Sequence, residues 1–240
     1  MSINQPILKV EYKGKEFLYA VCNDHTAWRV KTLMTKEPDT ISWVESMQPG
    51  ETLIDVGANI GIYTIFAAVF GVKVIAFEPE AQNYALLCRS IMVNELDVPA
   101  YCIALSDEFK ADYLYLSGFL PGGSCHTAGE DLDHRLTKRE RPAGTLRQGC
   151  LIMPLDKLNL QLDHIKVDCD GLEHKVANGG WQTFLKAKSI LLEINQNLPE
   201  HMALVERMRD AGFKEDPEQV ERARRKEGAF TNCGNWIFRR

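Results

Sequence analysis

Short apolar runs alternate with longer segments of helical periodicity from Glu51 onward. The runs have the length of buried strands, whereas the longer segments repeat apolar residues every three or four positions. The pattern predicts strands at residues 52–56, 72–77, 99–105, 164–168 and 189–194, and helices at 60–69, 80–96 and 199–210. Parallel strands need crossover connections between them, so this alternation predicts an α/β fold with a doubly wound, mostly parallel sheet.

The first fifth of the chain has a different pattern. Residues 7–19 alternate polar and apolar side chains around Gly14, which predicts a small N-terminal β-hairpin. Residues 24–34 fit no single element, and a short helix is expected before Pro49. We therefore expect residues 1–50 to form an extension that caps the sheet or covers its cleft.

The main domain is expected to span residues 51–240. Residues 113–116 alternate in type and predict a strand added beside the main sheet. Phe213 and residues 236–238 predict an antiparallel terminal hairpin at the sheet edge. The charged run at residues 221–226 is typical of a solvated loop or helix face.

Residues 118–149 interrupt the alternation with frequent glycine and proline and little apolar periodicity. A long segment of this kind is either a functional lid or substrate loop, or a solvated mobile loop, and the sequence leaves both open. Five basic residues favour an anionic acceptor in the first case. They are Arg135, Lys138, Arg139, Arg141 and Arg147.

Composition narrows the class of protein. Of the 240 residues 45% are hydrophobic and 25% are charged, which is ordinary for a folded domain. The net charge of −5 gives no nucleic-acid or membrane signal, and no apolar run has the roughly 18 residues of a membrane span. Residues 1–6 lack a signal-peptide core, and the seven cysteines form no Cys-x-x-Cys pair. A cytoplasmic protein with reduced thiols is expected.

The turn after the first long strand carries the candidate chemistry. Asp55 ends an apolar run two residues before Gly57, and Gly61 closes the turn. Glu78 ends the next strand, 23 residues beyond Asp55, where a carboxylate can hold ribose hydroxyls. A carboxylate before the glycines repels a pyrophosphate but suits the ammonium and sulfonium of S-adenosylmethionine. We expect the glycines to admit the amino-acid portion of that cofactor, and residues 104–107 to lie near its adenine.

Several segments together resemble a known family. The first is Asp-Val-Gly-Ala-Asn-Ile-Gly at residues 55–61, and the most specific is Lys-x-Asp-x-x-Gly-x-Glu at residues 166–173. The other matching segments are residues 62–64, 76–79, 104–107, 154–158 and 192–194. In this order they resemble the FkbM-type S-adenosylmethionine-dependent methyltransferases. One departure is Ser90, where the family often has asparagine.

The resemblance implies a Rossmann-like class I methyltransferase fold. It also implies O-methylation of a hydroxyl on a small molecule, sugar or glycolipid, without identifying the acceptor. The cofactor-binding residues expected from the turn and from this resemblance are Asp55, Gly57, Ala58, Asn59, Gly61, Tyr63, Thr64, Glu78, Pro79, Asn94, Ala104, Ser106 and Asp168.

Methyl transfer to oxygen requires a group that takes the proton of the acceptor hydroxyl. Asp168 ends a strand at the edge where open α/β sheets bind ligands, so it is the first candidate. Lys166 shares its face and can act with it or pair with a neighbouring carboxylate. Glu193 ends the next strand and can point into the same cleft, and His126 is the alternative base.

Oxygen ligands near the same strand ends raise the question of a magnesium ion. Asp168, Asp170, Glu193 and Asn195 can supply such ligands, but sequence spacing does not show that they converge, and a divalent metal is not favoured. Glu173, at a predicted helix start, is expected to complement the helix dipole.

The sequence also bears on alternative functions. A nucleic-acid amino-methyltransferase would be expected to carry an Asn/Asp-Pro-Pro-Tyr/Phe segment where residues 168–171 read Asp-Cys-Asp-Gly, so no nucleic-acid partner is expected. A non-catalytic binding protein on the same fold, an N-methyltransferase and, more distantly, a nicotinamide-dependent oxidoreductase stay open.

Overall fold

The structure, a computed structural model, describes residues 6–142 and 146–240. The predicted absence of a signal-peptide core in residues 1–6 concerns mainly residues 1–5, which lie outside the described residues, as does Gly144 of the segment 118–149. The strands are β1 Ile7–Tyr12, β2 Lys15–Ala20, β3 Thr52–Val56, β4 Lys73–Phe77, β5 Ala100–Tyr101, β6 Ala104–Leu105, β7 Lys110–Tyr115, β8 Thr127–Ala128, β9 Arg147–Met153, β10 His164–Val167, β11 Ser189–Asn195, β12 Lys214–Glu215 and β13 Cys233–Arg239.

Helices connect and cover these strands. They are α1 Asp24–Lys31, α2 Leu33–Lys36, α3 Pro38–Glu45, α4 Ile62–Val69, α5 Ala81–Val93, α6 Glu173–Gly179, α7 Trp181–Phe184, α8 Pro199–Asp210 and α9 Pro217–Ala223, with a short 3-10 turn at Leu155–Leu158. No helix of the described residues is both long and apolar enough to cross a membrane.

The main sheet has seven strands in the order β12-β13-β11-β10-β3-β4-β5. The run from β11 to β5 is parallel, and β13 lies antiparallel between β11 and β12. This arrangement confirms the doubly wound, mostly parallel α/β sheet with an antiparallel terminal pair. That pair is not joined by a tight turn, because α9 lies between its strands.

Register brings three strand ends to one level. In β3, Val56 lies opposite Phe77 of β4 and Val167 of β10. The turn after β3, Glu78 after β4 and Asp168 after β10 therefore leave the sheet at the same carboxyl edge. This alignment is what gathers the predicted site residues.

The N-terminal residues pack onto the main sheet rather than standing apart from it. The predicted hairpin is confirmed as β1 and β2, and Phe17 stacks on Phe66 of α4 with ring centroids 5.3 Å apart. The unassigned residues 24–34 contain α1, whose start is fixed by a capping box between Asn23 and Thr26.

The predicted third strand is divided between two sheets. Residues 99–105 form β5 in the main sheet and β6 in a second sheet ordered β6-β9-β7-β8. Residues 113–115 of the predicted strand at 113–116 lie in β7, which belongs to that second sheet and not to the edge of the main sheet. The chain leaves the main sheet between Tyr101 and Ala104, and Ile103 in this gap lines the cavity described below.

Residues 118–149 are not structureless. They contain β8 and the start of β9, and a bridge joins Leu132 to Lys138. Arg139 and Arg141 both pair with Asp131, at 3.3 and 2.6 Å. Two of the five basic side chains are thus used inside the segment and do not form a free cationic surface.

Candidate active site at the carboxyl edge of the sheet

Two adjoining cavities open at the carboxyl ends of the parallel strands. The main cavity has a volume of about 370 Å³, within the range of small-molecule sites, and the side cavity about 50 Å³. Predicted residues that line the main cavity are Gly57, Asn59, Glu78, Pro79, Ala104, His126, Asp168 and Glu193. The side cavity adds Ala58, Tyr63 and Lys166. Those that line neither cavity are Asp55, Gly61, Thr64, Asn94 and Ser106.

Glu78 is built into the turn between β3 and α4. Its two carboxylate oxygens accept backbone N–H groups from Asn59 and Glu80, at 2.8 and 2.9 Å. Burial raises the pKa of Glu78 to about 7, although both backbone bonds favour the charged form. Each oxygen can accept a further hydrogen bond from a hydroxyl in the main cavity.

The two glycines of the turn allow close packing at the carboxyl edge of the sheet, and Gly57 also lines both cavities. A Cβ at Gly57 would lie 1.9 Å from the carbonyl oxygen of Asp168, and one at Gly61 would lie 2.7 Å from Cδ1 of Leu87. Both residues also have a positive φ. Gly57 therefore lets β3 and β10 end side by side, and Gly61 lets α4 start against α5.

Asp55 is directed beneath the turn, away from both cavities. It is 1% exposed, accepts a hydrogen bond of 2.6 Å from the Thr64 hydroxyl, and lies 3.3 Å from Nζ of Lys166. The sequence predicts that Asp55 and Thr64 bind the cofactor. In the structure neither lines a cavity, because the parallel register sets Asp55 beside Lys166 of β10. The two buried charges therefore neutralise each other inside the protein.

Asn94 and Ser106 also lie away from the cavities. The Asn94 side chain both accepts from the N–H and donates to the carbonyl of Leu18, which fastens β2 to the end of α5. The Ser106 hydroxyl donates to Asp107. Neither side chain lines either cavity, and their predicted role at the cofactor stays a prediction.

Asp168 is the carboxylate that faces the cavities from β10. Burial raises its pKa, but the Lys166 ammonium, 3.4 Å away, and more distant basic groups outweigh burial and lower it. Burial and the charge of Asp168 raise the pKa of Glu193 well above its usual range. Of this coupled pair Asp168 is therefore ionised first, and Glu193 holds its proton longer.

Asp170 lies beside this pair in the main cavity. Its Oδ2 accepts the backbone N–H of Cys125 at 2.7 Å, which ties the loop after β10 to the segment 118–149. Burial and the charge of Asp168 raise the pKa of Asp170 to about 6.

His126 is placed to donate a hydrogen bond rather than to accept a proton. Its Nδ1 accepts the backbone N–H of Ser117 at 3.1 Å, so the neutral ring carries its proton on Nε2. That nitrogen is buried without a hydrogen-bond partner among the described residues, and the ring lines the main cavity. Burial lowers the pKa of His126 to about 4. These contacts disfavour the alternative base proposed from the sequence.

The carboxylates of Asp168, Glu173 and Glu193 converge, and each of them also has a partner within the protein. Oxygens of Asp168, Glu173 and Glu193 lie within 4.8 Å of one another. Glu173 accepts the N–H groups of Cys169 and Gly171, so it orders the loop after β10 besides facing a helix start. Glu193 also pairs with the guanidinium of Arg225. Of the four residues named from the sequence as possible magnesium ligands, Asp168 and Glu193 belong to this group, and Asp170 and Asn195 do not.

Several cavity residues carry no recognisable signal in the sequence. Arg29 comes from α1, Lys36 from α2, and Arg225 from the charged run that reads as a solvated surface. Arg225 lies 3.0 Å from Glu193 and its side chain is about one-third exposed. A basic residue in a last helical turn or in a charged run is common, so only the packing of distant segments identifies these three.

Comparison with known protein families shows to which family the chain is related. A model described as the Methyltransferase FkbM domain matches residues 55–215, which is more than half of the sequence. The chain belongs to the FkbM methyltransferase family. This confirms the resemblance carried by the sequence motifs and, with it, S-adenosylmethionine as the cofactor.

Similar proteins of this FkbM-family chain include a curated sequence and several solved structures. The 31-O-demethyl-FK506 methyltransferase FkbM of Streptomyces tacrolimicus is 36% identical over 84 residues, which are 31% of this chain and 32% of that one. The match thus spans about a third of the length of that relative.

Two solved structures align over most of the chain at low identity. The ribosomal protein L11 methylase of Lactobacillus delbrueckii subsp. bulgaricus has a TM-score of 0.49 and 12% identity, over 88% of this chain and 79% of that one. Magnesium protoporphyrin IX methyltransferase (ChlM) of Synechocystis PCC 6803, solved with bound SAM, has a TM-score of 0.49 and 12% identity, over 92% and 86%.

Proposed function

We propose that this FkbM-family chain transfers the methyl group of S-adenosylmethionine to a hydroxyl oxygen of a small molecule, sugar or glycolipid. The observation that carries the proposal is Asp168, an ionised carboxylate at the cavity, backed by a buried lysine. Such a group can align an acceptor hydroxyl and take its proton.

The lining of the main cavity fits the cofactor. Glu78 would accept hydrogen bonds from the ribose hydroxyls, and the apolar side chains of Ile103 and Leu105 would pack against the adenine. The unpartnered Nε2 of His126 supplies a donor for an acceptor atom of the ligand. When bound, the cofactor supplies an activated methyl group on a sulfonium.

Asp168 receives the proton while Lys166 holds the carboxylate ionised. Burial lowers the pKa of Lys166, but Asp55 and Asp168 outweigh burial and raise it, so the ammonium stays charged beside the base. Asp55 is held in turn by Thr64. Asp55 and Thr64, which the sequence predicts at the cofactor, thus help to hold Lys166 beside Asp168 and contribute to the reaction indirectly.

An acceptor other than nucleic acid, and a cytoplasmic location, belong to the same proposal. The net charge of −5 disfavours binding to a polyanion. Free thiols at all seven cysteines suit a reducing compartment.

Replacing the base tests the proposed reaction. Asp168→Asn keeps the shape of the side chain but removes the proton acceptor, so turnover should fall about 10²- to 10⁴-fold. Calorimetric titration should give a dissociation constant for S-adenosylhomocysteine within about threefold of the unmodified protein. Turnover is measured as S-adenosylhomocysteine released with a panel of sugars, glycolipids and hydroxylated small molecules.

The exposed Asp97→Asn substitution is the matched control and should change neither quantity. Retained turnover in Asp168→Asn would eliminate the base. Tight binding of the nucleoside without turnover on any acceptor would favour a non-catalytic protein, and methylation of an amine instead would favour an N-methyltransferase.

A further inference from the structure

Arg29 lines both cavities. It lies outside residues 55–215, the part of the chain that the family model matches. It lies in the last turn of α1. Its Nε donates to the carbonyl oxygen of Gly122 at 2.6 Å, which fixes the plane of the guanidinium. Its two terminal nitrogens have no hydrogen-bond or ion-pair partner among the described residues.

The other basic groups of the two cavities are matched by acids. Lys36 lies 2.8 Å from Glu37, and Arg225 lies 3.0 Å from Glu193. Lys166 lies between two carboxylates, as described above. Among the described lining residues, Arg29 is therefore the cation with a free hydrogen-bonding fork, and a partly buried guanidinium of this kind is the usual partner of a planar carboxylate.

The place of Arg29 indicates which carboxylate it receives. Arg29 lines the side cavity together with Gly57, Ala58 and Asn59 of the β3–α4 turn. Glu78, the expected ribose ligand, lines the main cavity and not the side cavity. The side cavity, of about 50 Å³, holds only a few heavy atoms, which suits the end group of a ligand that extends from the main cavity.

We propose that the two terminal nitrogens of Arg29 bind the carboxylate of the methionine moiety of S-adenosylmethionine. This inference rests on the proposed function, since it presumes the nucleoside in the main cavity. It assigns to α1, outside the matched family domain, the recognition of the amino-acid end of the donor.

Two nucleosides that differ in that end test the assignment. S-adenosylhomocysteine carries the carboxylate, whereas 5′-methylthioadenosine lacks the whole amino-acid portion. Arg29→Gln removes the charged fork and keeps an amide donor within the same side chain. By calorimetric titration it should weaken S-adenosylhomocysteine about 10- to 100-fold and 5′-methylthioadenosine less than about twofold.

Arg29→Lys should fall between, because a lysine keeps the charge and loses the fork. Lys31→Ala, an exposed cation on the same helix, is the matched control and should bind both nucleosides as the unmodified protein does. Melting temperatures of all variants report whether each one folds.

Three results would overturn the assignment. Equal weakening of both nucleosides would mean that Arg29 acts through Gly122 and the shape of the cavity. Unchanged nucleoside binding with a raised KM for the acceptor would mean that the anion belongs to the acceptor. An unmodified protein that binds neither nucleoside would instead remove the proposed function itself.

Discussion

At the scale of single residues, the two aspartates at the ends of neighbouring strands have different surroundings. Asp55 is the second-last residue of β3 and lies beside a buried lysine, whereas Asp168 follows β10 and lines the cavities. Both are acids at strand ends in the sequence. Lys166 pairs with both carboxylates, so their difference arises from position: Asp55 lies within β3 and is 1% exposed, whereas Asp168 lies beyond the end of β10 and its side chain is 27% exposed.

His126 gives a residue-scale prediction about pH. An unfolded histidine titrates near pH 6.5, whereas burial holds the pKa of His126 at about 4 in the folded protein. The unfolded state binds more protons between these values, so the free energy of unfolding should fall as the pH drops from 6.5 to 4. In His126→Asn this contribution of about 3 kcal/mol should be missing.

Urea denaturation of both proteins at several pH values from 7.5 to 4 measures it. Taking the difference between the two curves cancels the carboxylates that they share. Curves that stay parallel across this window would show that His126 is protonated as easily in the folded protein as in the unfolded one.

At the scale of elements, the start of α5 holds the strap, which we define as residues 120–123. Asn83 accepts the N–H of Gly122 at 2.7 Å and donates to the carbonyl of Gly123 at 3.1 Å. Asn59 of the β3–α4 turn donates to the same Gly123 carbonyl at 2.8 Å. The strap is thus fastened to the two elements that border the expected nucleoside site.

Asn83→Ala should loosen the strap. The side chain is fully buried and the substitution removes two hydrogen bonds, each contributing about 1 kcal/mol. Phe119 and Leu120 are exposed, at 72% and 48%, so chymotrypsin should cleave there about 5- to 30-fold faster than in the unmodified protein. S-adenosylhomocysteine should slow that cleavage.

Timed digestion followed by mass spectrometry locates the cut. Gln82→Ala, next to Asn83 on α5 and without a bond to the strap, is the control and should be cut at the original rate. If chymotrypsin cuts Asn83→Ala at the same rate as the unmodified protein, the hydrogen bonds of Asn83 do not hold the strap in place.

At the scale of the whole molecule, the N-terminal hairpin belongs to the main core. Phe17 and Trp43 lie in one buried cluster with Leu53 of β3 and Ile237 of β13. The Trp43 indole also donates to Ser189 at 2.8 Å, which links α3 to β11. A boundary near residue 50 divides the sequence pattern but not the packed interior.

Phe17→Ala should therefore destabilise the entire protein. The side chain is fully buried, and truncation of a core phenylalanine costs about 3–5 kcal/mol. We expect one cooperative unfolding transition at a lower denaturant midpoint, with tryptophan fluorescence and circular dichroism in agreement. Ile7→Ala, on the exposed side of β1, should cost less than about 1 kcal/mol. Two separate transitions would show an independent N-terminal domain.

The sequence by itself determined the α/β sheet, the family and the cofactor. Apolar runs and helical spacing are local properties, and the motifs at residues 55–61 and 166–173 are contiguous. It could not locate the division of residues 99–105 between two sheets, because that depends on which strand offers the better partner.

Only the tertiary structure decided which side chains reach the cavities. Asp55 pairs with Lys166 and Asn94 hydrogen-bonds to Leu18. Gly57 and Gly61 pack closely against Asp168 and Leu87. Arg29 and Arg225, far from any motif, are brought to the carboxyl edge by α1 and by the C-terminal segment. The physical reason is that a side chain binds whatever group folding places beside it, and those neighbours come from distant parts of the chain.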